Sequence, residues 1–195
     1  MEILILLALG AAGVALYRSR IDVAVPGVQA PNAAPEPTRP NVVITYEDDY
    51  SYGSGATYTA EDVDYMARTL WGEARGEDDA GMKAVAWVIR NRRDSGRFPS
   101  SIKGVVTQAW QFSTWNATDP NRAKMLAVTE SDSQFRRAQS IAQLVLSGAT
   151  PDPTGGAVHY ANESIIPSSS AAWEWIQTAE TRQKIGQHTF YTGVA

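Results

Sequence analysis

The sequence predicts a mainly helical domain with a small β or irregular part, preceded by a separate apolar helix. Two observations place the helices: apolar residues recur at three- and four-residue steps between Tyr58 and Leu146, and capping residues or glycines punctuate those runs. A third marks the change of character. From Pro151 the chain reads PDPTGGAVHYAN, rich in turn residues, and near its end HTFY is a strand-like run.

The first element is the run ILILLALGAAGVALY, Ile3 to Tyr17, bounded by Glu2 and Arg18. It is short for a bilayer, which needs roughly 20 apolar residues. Its expected role is still a membrane-anchor helix within residues 1–21, with Tyr17, Arg18 and Arg20 at the interface. A cleaved secretion signal is the alternative, disfavoured by the acidic start Met1-Glu2. Residues 22–57 read as a linker. Half of the ten prolines lie between Pro26 and Pro40, which favours an extended spacer. The acidic, tyrosine-rich YEDDYSYGSG that follows suits a solvated spacer or a dock for a virion or envelope protein. VVITY before it could pair as an edge strand.

The helical domain is expected over residues 58–195. Thr59 and Asp62 form a capping-box pattern, and Val63, Met66, Ala67, Leu70 and Ala74 give one apolar face. Gly76 is a stop signal. Asp78 or Asp79 can cap a second helix carrying Met82, Val85, Ala86 and Ile89, ending near Gly96. Ser100-Ser101 can start a short third with Ile102, Val105 and Val106. Asn121 to Val128 and Ser133 to Leu146 read as two more.

Composition excludes several chemistries. There is no cysteine, so no disulfide, thiolate metal site or cysteine nucleophile is possible. Only His159 and His188 are available as imidazoles, without the spacing of a zinc site. The net charge of −4, with no basic block, argues against a nucleic-acid partner. No metal or cofactor is expected.

Glu73 occupies an unusual position. It follows Leu70 by three residues and Met66 by seven, so it flanks the apolar stripe near the end of the first helix. Burial and the negative end of the helix dipole both raise a carboxyl pKa, burial usually by more. Such a carboxyl can donate a proton near neutrality. Helix pattern alone favours the other reading, a solvent-facing glutamate paired with Arg75 or Arg68.

A resemblance weighs on that choice. The segments MARTLWGEARGE, GMKAVAWVIRNR, FPSSIKGVVTQ, QFSTWN, DPTGGAVHYAN and IGQHTFY follow one another between residue 58 and the end. In this order they resemble the cell wall hydrolase family of the spore-cortex-lytic enzymes. The resemblance implies a lysozyme-like fold and cleavage of the β-1,4 bond between N-acetylmuramic acid and N-acetylglucosamine in peptidoglycan glycan strands. It makes Glu73, in GEARGE, the catalytic acid. Glu77 is the other candidate in the motif, but beyond Gly76 it suits capping or a salt bridge better. No second carboxylate has a comparable claim, so a lytic transglycosylase with one acid is expected. A hydrolytic muramidase using the same residue and a non-catalytic wall-binding virion protein are the alternatives.

Substrate contacts are expected from Gln111, Phe112, Ser113 and Trp115, which combine amide, hydroxyl and aromatic groups suited to sugars. Phe112 and Trp115 fit a core role equally well. Tyr160 and Asn162 follow Gly155-Gly156, where a chain without side chains can approach a ligand. Tyr160 can orient Glu73 or the leaving group, and Asn162 can instead serve turn geometry. The two histidines are expected to be structural or on the surface.

Overall fold

The computed structural model describes residues 58–193 apart from 168, 170–172, 174 and 175, together with residues 2–3 and 19–20. Glu2–Ile3 (β1) pairs antiparallel with Ser19–Arg20 (β2). Ile3, expected as the first residue of the apolar helix, is therefore in an extended pair. The rest of that run, the linker 22–57 and VVITY lie outside the described residues. Among the described residues, no helix is long and apolar enough to cross a membrane.

The helices form where the periodicity places them. α1 (Ala60–Ala74) starts with the expected capping box, Thr59 and Asp62 each bonding the other's backbone N–H. Val63, Met66, Ala67 and Leu70 are its buried face. α2 (Asp79–Asp94) is capped by the Asp78 side chain, which accepts from Gly81 N–H. α3 (Ile102–Thr107) is capped by Ser101, and α4 (Arg122–Ala127) follows a loop. α5 (Ser133–Leu146) is capped by Asp132. α1 is the centre of the domain, packing on α5, α2, α3 and α4. Met66, Leu70, Met82, Val85 and Ile89 have no exposed surface. Each such side chain contributes about 1.5–3 kcal/mol through burial. Arg68 reaches from α1 to the carbonyls of Met125, Leu126 and Val128, and so ties down the end of α4.

The small sheet has the order β3-β5-β4, all antiparallel: β3 (His159–Ala161), β5 (His188–Thr192) and β4 (Thr181–Ile185). HTFY lies in β5 as expected. Alternation divides its sides. Tyr160 and Phe190 join the main core, while Ala161 and Tyr191 join a smaller cluster with Ile166 and Ile176.

Two connections fasten sheet to helices. Asn91 on α2 donates to Asp152 Oδ2 (2.9 Å) and to the Ala157 carbonyl (3.1 Å). Asp152 also accepts from the N–H groups of Thr154 and Gly156, fixing the turn before β3. Gly155 (φ 65°) and Gly156 (φ 88°) are left-handed there, which is the conformational reason for glycine in that turn. On the other side the Glu77 carboxyl is buried. Its Oε2 accepts from Gln187 N–H in the β4–β5 turn (3.1 Å), and its Oε1 lies 3.3 Å from His188 Nδ1. Burial holds the His188 imidazole below its ordinary pKa, against the pull of Glu77, so this contact involves a neutral ring. Glu77 therefore links helix to hairpin, the structural alternative raised by its position after Gly76.

That link needs space. A Cβ added to Gly186 would lie 2.2 Å from Glu77 Oε2, at a left-handed φ of 60°. Gly186→Ala should therefore destabilise the domain by about 1–3 kcal/mol, through backbone strain and loss of the Glu77 contact. Urea unfolding followed by circular dichroism measures this, and a variant as stable as wild type would show that the contact is dispensable.

Candidate active site

Glu73 lies on the last turn of α1 and is 8% exposed. Neither arginine that could have paired with it does so. Arg68 binds Asp64, and Arg75 lies over the Trp71 ring. The partners of Glu73 come instead from the loop after α3. Its Oε1 accepts from Thr114 N–H (3.0 Å) and Ser113 Oγ–H (3.1 Å). Both bonds fall on one oxygen, leaving Oε2 to carry a proton.

Two backbone features bring that loop to α1. Trp110 is left-handed (φ 66°), a strained conformation for a bulky side chain, costing on the order of 1–3 kcal/mol. It precedes Gln111 and the single 3-10 turn Ser113–Trp115. The turn then packs on Gly72, inside α1. A Cβ there would stand 2.3 Å from Thr114 Oγ1 and 2.7 Å from Thr114 Cβ. A mid-helix glycine usually costs about 1 kcal/mol relative to alanine. Here it admits the turn whose N–H reaches Glu73.

These surroundings set the proton affinity of the acid. Burial pushes the Glu73 carboxyl from 4.5 up to about 7; the Thr114 and Ser113 bonds oppose this, and the charge of Asp119 adds to it. The shift comes from desolvation, with the loop bonds limiting it.

The other expected site residues separate into different roles. Ser113 bonds Glu73 directly. Trp115 is half-buried, donates from Nε1 to Thr69 Oγ1 (2.9 Å) and lies against Tyr65 at 5.3 Å between ring centres. Thr69 is one turn before Glu73 on α1, so the indole is fixed along the same helix face. Gln111 is buried, and its Oε1 has no hydrogen-bond partner. Phe112 has no exposed surface and packs under the Arg92 guanidinium, so its role is in packing. Tyr160 is 8% exposed, stacks on Phe190 and meets His188 edge-on. Its phenol is pushed well above the usual range, by burial first and then by the nearby charge of Glu73. Asn162 accepts from Ser164 N–H (3.1 Å) and Ser164 Oγ (2.6 Å), capping the 3-10 turn Glu163–Ile165, in keeping with the turn-geometry alternative. Thr114 and Gly72 were not among the expected residues. The pairing of a helix glycine with a distant turn leaves no local pattern. No group of three or more His, Asp or Glu side chains that could hold a metal lies among the described residues.

Comparison with known proteins gives consistent matches. A family model described as Cell Wall Hydrolase matches residues 76–191, beginning three residues after Glu73. The spore cortex-lytic enzyme of Bacillus cereus is 32% identical over 134 residues, which is 68% of this chain and 45% of that protein. That of Halalkalibacterium halodurans is 32% identical over 136 residues, covering 69% and 36% respectively. The chain thus spans less than half the length of these curated relatives. Among solved structures, the catalytic domain of the Bacillus cereus SleB protein superposes with a TM-score of 0.55 at 30% identity, covering 72% of this chain and 99% of that one. The catalytic domain of the germination-specific lytic transglycosylase SleB from Bacillus anthracis gives 0.53 at 30% identity, covering 69% and 97%. The mainly helical fold with a small antiparallel sheet is the one these domains share.

The proton affinity of Glu73 has a consequence for stability. Its folded-state pKa of about 7 lies above the ordinary 4.5, so the folded protein holds the proton more tightly than the unfolded chain. The associated stability is complete below about pH 4.5 and is lost as pH rises through about 7, up to about 3 kcal/mol. Glu73→Gln keeps an acceptor for Thr114 N–H and removes the titration. It should stabilise the domain at pH 8.5 relative to wild type and change little at pH 4.5. Denaturant unfolding at the two pH values checks this, and an equal effect at both would contradict the buried acid.

Proposed function

The chain belongs to the cell wall hydrolase family, and from that premise we propose that it cleaves the β-1,4 bond between N-acetylmuramic acid and N-acetylglucosamine in bacterial peptidoglycan, as a lytic transglycosylase. The observation that carries this reading is a buried carboxyl, Glu73, held by Thr114 and Ser113 through one oxygen and protonated up to about pH 7.

In the proposed reaction, Glu73 Oε2–H gives its proton to the glycosidic oxygen while the bond from the muramyl C1 to that oxygen breaks. The leaving sugar departs with a free 4-hydroxyl, and C1 develops oxocarbenium character. The Glu73 carboxylate then takes the proton of the muramyl C6 hydroxyl as that oxygen bonds to C1. A 1,6-anhydro ring closes, Glu73 is again protonated, and no water is consumed. Ser113 and Thr114 N–H bond the carboxylate formed in mid-cycle, so the same contacts that lower the pKa also stabilise the intermediate state. The fixed Trp115 ring supplies a face for a sugar, and Tyr160 a hydroxyl beside the acid. Gln111 contributes an amide group for N-acetyl recognition.

A hydrolytic muramidase is the second reading. Asp119 favours it, because its charge acts on Glu73 and a nearby carboxylate could direct water to C1. We further propose that residues 3–17 hold the protein at a membrane and that residues 22–55 span the distance to the wall. This arrangement suits a virion-associated or envelope-associated enzyme.

Mass spectrometry of products from purified peptidoglycan tests the assignment. Anhydromuramyl ends are expected. Reducing muramyl ends would establish the hydrolase, and free peptides would overturn glycan cleavage altogether. Glu73→Gln should lower the rate by at least about 100-fold, the scale of general acid catalysis. Wall binding by the wild type without any turbidity loss would identify a non-catalytic wall protein, and turbidity loss unchanged in Glu73→Gln would remove Glu73 as the acid. Because the acid must be protonated, wild-type turnover should be highest below pH 7 and fall about tenfold per pH unit above it. A rate that keeps rising to pH 9 would exclude Glu73 as the proton donor.

A further inference from the structure

We propose that the cavity between the β4–β5 hairpin and the turn after β3 binds the peptide stem of the substrate. There Lys184 holds a carboxylate, and Glu163 an ammonium, of one diamino residue in that stem. The inference rests on the reading of the chain as a peptidoglycan glycosidase.

Strand register builds the cavity, which has a volume of about 230 Å³. Lys184 stands opposite Thr189, and Thr189 opposite Ala161, so the three share one face of the sheet. Ala161 and Tyr191 belong to the smaller apolar cluster on that face. Thr189, on the central strand, is buried, and Lys184 on the outer strand is exposed. Glu163 stands on the other flank, in the turn after β3, and Gly186 and Gln187 close one end.

The polar groups around this cavity retain bonding capacity. The Tyr191 hydroxyl donates to Glu163 Oε1 (2.7 Å), and Oε2 has no partner among the described residues. Asn162 uses Oδ1 for Ser164 and has no acceptor there for its Nδ2. Lys184 makes no ion pair among the described residues, whereas Arg182, on the same strand, is engaged by the Ile176 carbonyl and the Gln177 amide. Exposed lysines commonly lack partners. Here, however, the opposite flank carries a carboxylate fixed by a fully buried tyrosine. That arrangement of opposite charges across one cavity selects a ligand bearing both.

The cavity adjoins the acid through direct contacts. Glu77, four residues after Glu73, backs its end wall. Glu77 Oε2 accepts from Gln187 N–H (3.1 Å), and a Cβ on Gly186 would stand 2.2 Å from that oxygen. Glu77 is itself buried behind this wall, so Lys184 and Glu163 are the charges a ligand meets. A turn of chain and one side chain separate Glu73 from the cavity, on the order of 10 Å. In peptidoglycan the stem leaves the muramyl lactyl group, and its third residue is a diamino acid. The lactyl unit and two extended residues span on the order of 10 Å as well. When that third residue is diaminopimelate, its far end carries an ammonium and a carboxylate on one carbon. A glycan seated at Glu73 can therefore place this end between Glu163 and Lys184.

Isothermal titration of the full chain carrying Glu73→Gln with free L-Ala-γ-D-Glu-meso-diaminopimelate-D-Ala tests this without turnover. Binding is expected. Amidating the diaminopimelate carboxylate, or acetylating its ammonium, should each weaken it about tenfold, the scale of one charge-assisted bond. Lys184→Gln should cancel the effect of amidation and leave that of acetylation. Glu163→Gln, which keeps an acceptor for Tyr191, should do the reverse. Absence of binding, or modifications that weigh equally in variants and parent, overturns the proposal. Lys184 is exposed, so its variant decides even if Glu163→Gln fails to fold. Activity is read separately, with the wild-type chain on glycan strands bearing stems and on strands stripped of them. Peptide binding by a chain that cleaves neither would remove the glycosidase reading and leave the site standing. Cleavage of both at equal kcat/KM would remove the site and leave the glycosidase reading.

Discussion

The contact between Gly72 and Thr114 is the constraint on which the rest of this site depends. Helix α1 has to approach the Ser113–Trp115 turn closely enough for a backbone N–H to meet a carboxyl one residue further along the helix. Any side chain at position 72 would occupy the volume taken by the Thr114 side chain. Once the turn is seated, several features follow from geometry. Thr114 N–H and Ser113 meet one oxygen of Glu73, Trp115 reaches back to Thr69, and water is displaced from around the carboxyl. The displaced water is what holds the proton on the acid near neutrality.

Glu73 and Glu77 show how environment separates two chemically identical side chains four residues apart. Each is 8% exposed. Glu73 faces a loop that supplies two donors to a single oxygen. Glu77 accepts through Oε2 from a backbone N–H of the β4–β5 turn, and its Oε1 lies 3.3 Å from His188 Nδ1. One oxygen of Glu73 is left for a ligand, whereas Glu77 is committed to holding the hairpin. The helix stop between them, at Arg75 and Gly76, turns the second carboxyl toward the sheet.

Much of this was legible in the sequence because it is local. The capping box at Thr59 and the apolar faces of α1, α2 and α5 follow from residues within one or two turns, whereas the inward tilt of Glu73 depends on a loop 40 residues away. The sheet was less legible. HTFY carries a strand signal, but β4 reads TRQKI and is exposed along nearly its whole length, so no alternation marks it. β3 is three residues long and is defined by its partner in β5. Thr114 and Gly72 gave no signal for a related reason. Their roles exist only across long sequence separations, and their residue types are ordinary at those positions. Gly155 and Gly156 were recognised as special, but through expected ligand approach, whereas their positive φ angles answer to the Asp152 turn.

The same exposed strand has a bearing on how copies of this protein meet one another. β4 closes one side of the sheet, with no strand beyond it among the described residues. An outer strand of this kind offers unpaired backbone groups that another chain can extend. Arg182 and Lys184 stand on it, exposed, and would face each other, Arg182 against Lys184, if two such strands aligned antiparallel about Gln183. Like charges brought together in this way discourage fibre-like growth. The protection is electrostatic, and therefore weakest in concentrated salt, where crowded molecules lose the repulsion that keeps their sheets apart.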